Sequence, residues 1–306
     1  MTTNKKAGPA RSGGLADYLA NRRERMEIAL LDMVRRHVAP GRLRQAMLHS
    51  LSAGGKRLRP ILCMAAAESV GGQAETTLPA GCALEMIHTY SLIHDDLPAV
   101  DNDDLRRGQP ACHLAFDEAT AIFAGDALHT LAFQVLSEPE YALDDPAAQV
   151  AVINVIARAT GTDGMIEGQM QDILAQSTRL DEASLREIHC RKTGALIRAA
   201  VFAGARIGGA DEQQLAALDD YAGQVGLAFQ VLDDLLDIQG DPALMGKAVG
   251  ADDKRHKATY PGLMGPDRAR HLAKELVKNS LRAIESFDIK ADPLRDLARY
   301  IIERQS

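Results

Sequence analysis

Residues Leu84 to Gly108 read LEMIHTYSLIHDDLPAVDNDDLRRG. The stretch opens as an apolar helix and then delivers five acidic residues, Asp95, Asp96, Asp101, Asp103 and Asp104, with Arg106 and Arg107 directly behind them. Pro98 does not belong in a helix interior, because it lacks an N–H and clashes with the preceding turn. Asp95 and Asp96 are therefore placed in the last helical turn and Asp101 in the loop beyond. Carboxylates there face the negative end of the helix dipole and one another. Such a cluster makes sense if a cation collects on it. Oxygen ligands with few histidines suit a hard ion such as Mg2+, which bridges carboxylates to phosphates. The neighbouring arginines match phosphate oxygens bidentately. The bland alternative is a solvated acidic surface loop.

A second copy of the arrangement weakens that alternative. Gly226 to Asp241 reads GLAFQVLDDLLDIQGD. Val225, Phe229, Leu232 and Leu236 fall at helical spacing on one face. Gln230, Asp233 or Asp234, and Asp237 fall on another, with Asp233 and Asp237 one turn apart. Gly240 and Pro242 end the helix just after the acids. Two apolar helices that each finish in aspartates point most simply into one polar cavity.

Upstream lies GGKRLRP, residues 54–60. A phosphate-binding P-loop needs a glycine five residues before the glycine of its GK and a Ser or Thr after it. Ser50 and Arg57 occupy those positions, so that reading fails. The stretch reads instead as an anion clamp: flexible glycines, then Lys56, Arg57 and Arg59 at the start of a helix near Pro60, where phosphates are favoured. His88 lies seven residues before Asp95, nearly two turns, and so shares its helix face. Lys192 and Thr193, with Gly194, interrupt an otherwise apolar helix. A buried lysine needs a partner, so Lys192 is expected to point into the cavity.

DDLPAVD followed by RRG, GGKRLRP upstream and FQVLDDLLD downstream resemble the trans-isoprenyl diphosphate synthases, in the order that family has them. The similarity runs from about Gly54 to Gly265 and is nearest to the bacterial farnesyl and the similar geranylgeranyl enzymes. It implies an all-α fold and, usually, a homodimer. It implies an allylic diphosphate held through Mg2+, three ions that Mn2+ can replace, by Asp95, Asp96, Asp101 and Asp233, with Asp234 and Asp237 in support. Arg106, Lys192, Lys247 and Lys257 would add positive charge. Gly55, Lys56, Arg59, His88 and Arg107 would hold isopentenyl diphosphate. The carbonyls of Lys192 and Thr193 and the side chain of Gln230 would face the allylic cation. Tyr90 and Ser91, just below Asp95, would bear on product length. Tyr90 lies about 7.5 Å deeper at 1.5 Å per residue, and Ser91 is too small to block a chain. The expected product is therefore farnesyl diphosphate, with geranylgeranyl diphosphate as the alternative.

Composition agrees with a helical protein. Hydrophobic residues make up 46% of the 306, aromatics only 4%, and there is no Trp. A net charge of −7 argues against a nucleic-acid partner, although much of it sits in the two aspartate clusters. Cys63, Cys82, Cys112 and Cys190 are scattered without a CxxC pair, which suits reduced thiols in a cytoplasmic protein. Residues 1–14 are polar and read as a disordered tail before one domain spanning 15–306. No run of about 18 apolar residues appears, so stable membrane insertion is not expected.

Helices are expected at Leu15–His37, Leu43–Leu51, Ile61–Val70, Leu78–Asp96, 113–136, 147–160, 163–176, Glu182–Gly208, Asp267–Phe287 and Pro293–Arg304. Residues 245–262 read as a lysine-bearing loop, with Lys254 simply solvated. Short connections without strand-like alternation imply a large antiparallel helix bundle around a central active-site cavity. Three other functions share part of this pattern. A terpene cyclase has no use for a second anion clamp. A non-catalytic relative would be expected to lack some of the aspartates. A His–Asp phosphohydrolase would need partners for His94–Asp95 that the sequence does not supply.

Overall fold

The computed structural model describes residues 14–176, 180–239 and 257–303, and it is a helix bundle. The first half comprises α1 (Leu15–His37), α2 (Arg42–Ser52), α3 (Leu58–Ser69), α4 (Leu78–Asp95), the short α5 (Cys112–Ala115), α6 (Glu118–Ser137) and α7 (Pro146–Thr160). The second comprises α8 (Met165–Leu174), α9 (Glu182–His189), α10 (Ala195–Ile207), α11 (Glu212–Gln239), α12 (Tyr260–Met264), α13 (Pro266–Ala283) and α14 (Asp292–Glu303). Lys247 and Lys254 lie outside the described residues.

Helices α3 and α10 form the middle layer. Cys63, Met64, Leu196 and Ala200 face one core, shared with α1, α2, α4, α6 and α7. Ile61, Leu62, Ile197 and Val201 face a second core, shared with α11, α13 and α14. A helix that is apolar all round is a buried one, and alanine and glycine let these two approach closely. A methyl group at Gly204 would collide with the Cys63 carbonyl oxygen, so the pair could not pack as it does with any other residue there.

Four local features differ from expectation. The helix expected over 113–136 is two, α5 and α6. Asp117 is extended and its side chain accepts from the Thr120 N–H, so it caps a fresh helix rather than continuing the old one. A two-stranded hairpin, β1 (Leu105–Arg106) with β2 (Gln109–Pro110), follows the acidic loop. Its turn residues Arg107 and Gly108 both have positive φ, 54° and 77°, as a tight hairpin turn requires. Within the expected loop at 245–262, the described end forms α12, capped by Thr259. The stripe expected on α11 is only partly right: Val225 and Leu232 are buried, but Phe229 and Leu236 are half-buried, and Tyr221, Ala228, Val231 and Leu235 complete the core face.

The helix expected from Glu182 to Gly208 is interrupted at the anticipated place. Cys190–Gly194 forms one wide turn of π-helix between α9 and α10. Such turns gather at functional sites because they release backbone groups from the regular ladder. Helix α6 is long and apolar enough to cross a bilayer by length and composition, but Ala124, Leu128, Ala132 and Val135 belong to the core against α4.

Candidate active site

Asp95 ends α4 and Asp96 is its cap, as Pro98 dictates. The acidic loop then folds back on the helix end: the Asp101 N–H donates to the Asp95 carbonyl at 2.8 Å, and the Asp103 N–H to the Asp96 carbonyl at 3.2 Å. Burial, opposed by Lys192 and reinforced by Asp101, pushes the Asp95 carboxyl up to about 6. Asp96 is buried and gripped by Arg106, whose Nε lies 3.0 and 3.2 Å from its two oxygens. Arg106 also reaches Asp103 at 3.4 Å.

The lysines are drawn in by an acid that sequence reasoning missed. Asp172 on α8 accepts from Lys192 Nζ at 2.7 Å and lies 3.6 Å from Lys257 Nζ. Lys257 in turn donates to Asp101 at 3.1 Å. Asp101, Lys257, Asp172 and Lys192 thus form one ionic chain joining the acidic loop, α8 and the wide turn. Gly168 lies one turn before Asp172 on α8. A methyl at Gly168 would collide with the Lys192 backbone nitrogen, so α8 must ride directly on the wide turn with its acid facing the lysine.

On α11, Thr193 Oγ1 donates to Gln230 Oε1 at 2.9 Å, and Gln230 Nε2 donates to Asp234 Oδ1 at 2.9 Å. Asp234 and Asp237 are buried, while Asp233 is half-buried and close enough to Arg59 to act on its charge. Asp172, His189, Lys192, Thr193, Gln230, Asp234 and Lys257 share one small cavity.

The cationic residues converge on His88. Burial and then Arg59, Arg107, Arg106 and Arg57 hold its imidazole well below the usual histidine range. Burial, with Arg107 adding to it, pulls Arg59 down to about 10 despite Glu85 and Asp233. Arg59 Nε is buried without a hydrogen-bond partner. Like charges that depress one another around a neutral imidazole describe an anion site. Gly55 is part of its construction: φ is +131°, and a methyl there would fall 2.5 Å from the Arg107 guanidinium carbon. Arg107 fills that space and donates to the Gly54 carbonyl.

Arg57 corrects the reading of GGKRLRP as three clamp cations. Its side chain is only 1% exposed and pairs with the equally buried Glu85 of α4 at 2.6 Å, with Nη2 donating to the Leu51 carbonyl oxygen. Its backbone is left-handed at φ 49°, an unfavourable conformation that recurs at functional sites. Lys56 is exposed beside it. Arg57 anchors the turn that presents Lys56 and Arg59.

Tyr90 faces α6. Its ring lies edge-on to His129 at 4.8 Å and to His94 at 5.8 Å, and its hydroxyl is buried without a partner. Ser91 Oγ donates to the His88 carbonyl. His94 makes its bond at 3.1 Å to the Ile122 carbonyl of α6, not with Asp95, which removes the phosphohydrolase reading.

Among the described residues, no three His, Cys, Asp or Glu side chains converge closely enough to hold a metal ion alone. The donor set still fits Mg2+, which takes one or two carboxylates and completes its shell with water and substrate phosphate. Asp95, held up near 6 by burial, is a carboxylate that an arriving divalent charge would ionise fully.

Comparison with known proteins agrees with this geometry. Residues 40–291 match the polyprenyl synthetase family. Farnesyl diphosphate synthase of Geobacillus stearothermophilus is 42% identical over 94% of this chain and 97% of its own. Geranylgeranyl pyrophosphate synthase 11 of Arabidopsis thaliana is 44% identical over 87% and 76%. The solved FPP/GFPP synthase of Zymomonas mobilis superposes with a TM-score of 0.84 at 37% identity, covering 94% of this chain and 98% of that one. With helices, site and relatives in agreement, the chain belongs to the polyprenyl synthetase family, and its activity is prenyl transfer between isoprenoid diphosphates.

Proposed function

We propose that this enzyme is a farnesyl diphosphate synthase, condensing isopentenyl diphosphate head-to-tail with dimethylallyl and then geranyl diphosphate. The observation that carries the product assignment is Tyr90, a bulky ring buried about 7.5 Å below Asp95 along α4 and backed by His129. A geranylgeranyl product is the second reading, because relatives of both kinds match the chain.

In this reading the allylic diphosphate lies between the ends of α4 and α11. Asp95, Asp96, Asp101 and Asp233, with Asp234 and Asp237 behind them, make up the carboxylate side of that pocket. Bound Mg2+ would supply Lewis-acid stabilisation of the departing diphosphate. Lys192 and Lys257, held in the chain through Asp172, stand ready to transfer their charge to it, and Arg106 adds to the same field; Lys247 is assigned to the same task by the family resemblance alone. The backbone carbonyls of Lys192 and Thr193, which lie in the wide turn, and the Gln230 amide turn negative dipole toward the allylic carbon. Isopentenyl diphosphate occupies the cationic pocket of Lys56, Arg59, His88 and Arg107, and its double bond attacks that carbon. The diphosphate that departs takes the proton, and no side-chain base is invoked. Exposed apolar side chains on α6, α7 and α8, Ile122, Phe123, Val150 and Leu174 among them, suit a homodimer face. The cytoplasm is the proposed compartment.

Arg59→Ala and Lys56→Ala are expected to raise the KM for isopentenyl diphosphate about 10- to 100-fold. That is the loss of one charge-assisted contact, roughly 1.5–3 kcal/mol. The KM for the allylic partner should stay within a few-fold. A selective rise in the allylic KM would show that the two pockets are exchanged.

Tyr90→Ala should lengthen the main product by at least one isoprene unit, read by chromatography after incubation with isopentenyl and geranyl diphosphates. Unchanged products, or a wild type that already makes mainly the twenty-carbon chain, would remove Tyr90 as the floor.

A further inference from the structure

Asp234 is only 2% exposed. One of its oxygens accepts from Gln230 Nε2 at 2.9 Å, and the other accepts from the Tyr260 backbone N–H at 3.0 Å. Both carboxylate oxygens of Asp234 are thus acceptors, and the nitrogen end of the Gln230 amide faces Asp234. The oxygen end is thereby forced toward Thr193, whose hydroxyl donates to it at 2.9 Å. A hydroxyl alone could not choose, since it serves equally as donor or acceptor. The choice rests with Asp234.

We propose that Asp234 is a positioning residue that fixes the Gln230 amide with its oxygen toward the reacting carbon. This rests on the prenyl-transfer reading above and gives Asp234 a different task from ligating a metal. The sign of an amide dipole reverses when the group turns over. Oxygen first, it stabilises a developing allylic cation; nitrogen first, it opposes it.

Asp234→Asn tests this because its own hydrogen bonds dictate the answer. The Tyr260 N–H still needs an acceptor, so the asparagine oxygen turns to it. The asparagine nitrogen then faces Gln230, which must rotate to present its oxygen. Thr193 accepts from the rotated amide as readily as it donated before. The variant keeps these three hydrogen bonds, to Tyr260, Gln230 and Thr193, and inverts the dipole.

The expected result is a kcat lower by about 100- to 1000-fold, the order found when one preorganised dipole is lost. KM for both diphosphates and the Mg2+ concentration for half-activity should stay within about twofold. On a Gln230→Leu background the further effect of Asp234→Asn should be under about twofold, since the group it acts through is gone. A tenfold shift in Mg2+ requirement, or full multiplication of the two effects, would overturn the proposal in favour of direct metal ligation. A readout without substrate stands apart from the assigned activity. With glutamine-selective 15N labelling, the Gln230 side-chain amide, assigned by its loss in Gln230→Leu, should exchange slowly in the wild type and shift upfield in Asp234→Asn. Exchange as fast as an exposed glutamine in the wild type would sink the proposal whatever the enzyme makes.

Discussion

Asp95→Ala and Asp233→Ala should each lower kcat by a factor of roughly 10^3 or more if, as proposed, these carboxylates hold the Mg2+ that stabilises the departing diphosphate. The two residues lie on different helices, Asp95 at the end of α4 and Asp233 six residues before the last described residue of α11, so equal losses would mean that both helices serve one diphosphate. Asp95 is the sharper case. Burial already holds its carboxyl near 6, a strain that the protein relieves only when positive charge arrives. Its removal should leave the fold intact, and the melting temperature without Mg2+ should stay level or rise. Steady-state rates across a Mg2+ titration provide the check. Near-normal turnover in either variant would end the shared-pocket account.

Glu85→Ala should destabilise the protein by about 3–5 kcal/mol, the range for leaving one partner of a buried ion pair uncompensated. Arg57 and Glu85 are each 1% exposed, so water cannot take over the lost interaction. Glu27, 3.7 Å from Arg57 Nε, is itself 38% exposed and offsets little. Replacing both partners together with apolar residues should recover much of the loss. Urea denaturation measures it, and a change below about 1 kcal/mol for Glu85→Ala would show that Arg57 finds another partner. The KM for isopentenyl diphosphate should rise in the same variant, since Arg57 fixes the turn that carries Lys56 and Arg59.

Much of this architecture was legible in the sequence because its signals are local. Pro98 placed Asp95 and Asp96 at a helix end, and apolar periodicity gave the long helices. The need of a buried lysine for a partner brought Lys192 into the cavity. The features that escaped were set by contacts between distant segments. Arg57 has the same chemistry as Arg59 two residues on, and only the packing of α1, α2 and α4 around it sends one inward and leaves the other at the pocket. Asp172 looks like any helical acid until α8 is laid on the wide turn. Asp117 showed its capping role only through the extended backbone at that residue. The hairpin at Leu105–Pro110 is two residues a side, too short to show alternation.

The wide turn at Cys190–Gly194 also bears on how the two helices it joins keep step. At about 100° per residue, the buried face of α9, carried by Leu185, Ile188 and His189, falls out of phase with that of α10 when every intervening residue is counted. Counting one fewer brings the two faces into line. The turn absorbs a supernumerary residue without rotating α10, so the chain could lose a residue there and still bury both helices as before. The casualty would be the wide turn itself, and with it the task proposed for the carbonyls of Lys192 and Thr193. Here the bundle's integrity and its chemistry are written in separable letters, and a shortened chain could remain a well-packed protein with nothing to offer a cation.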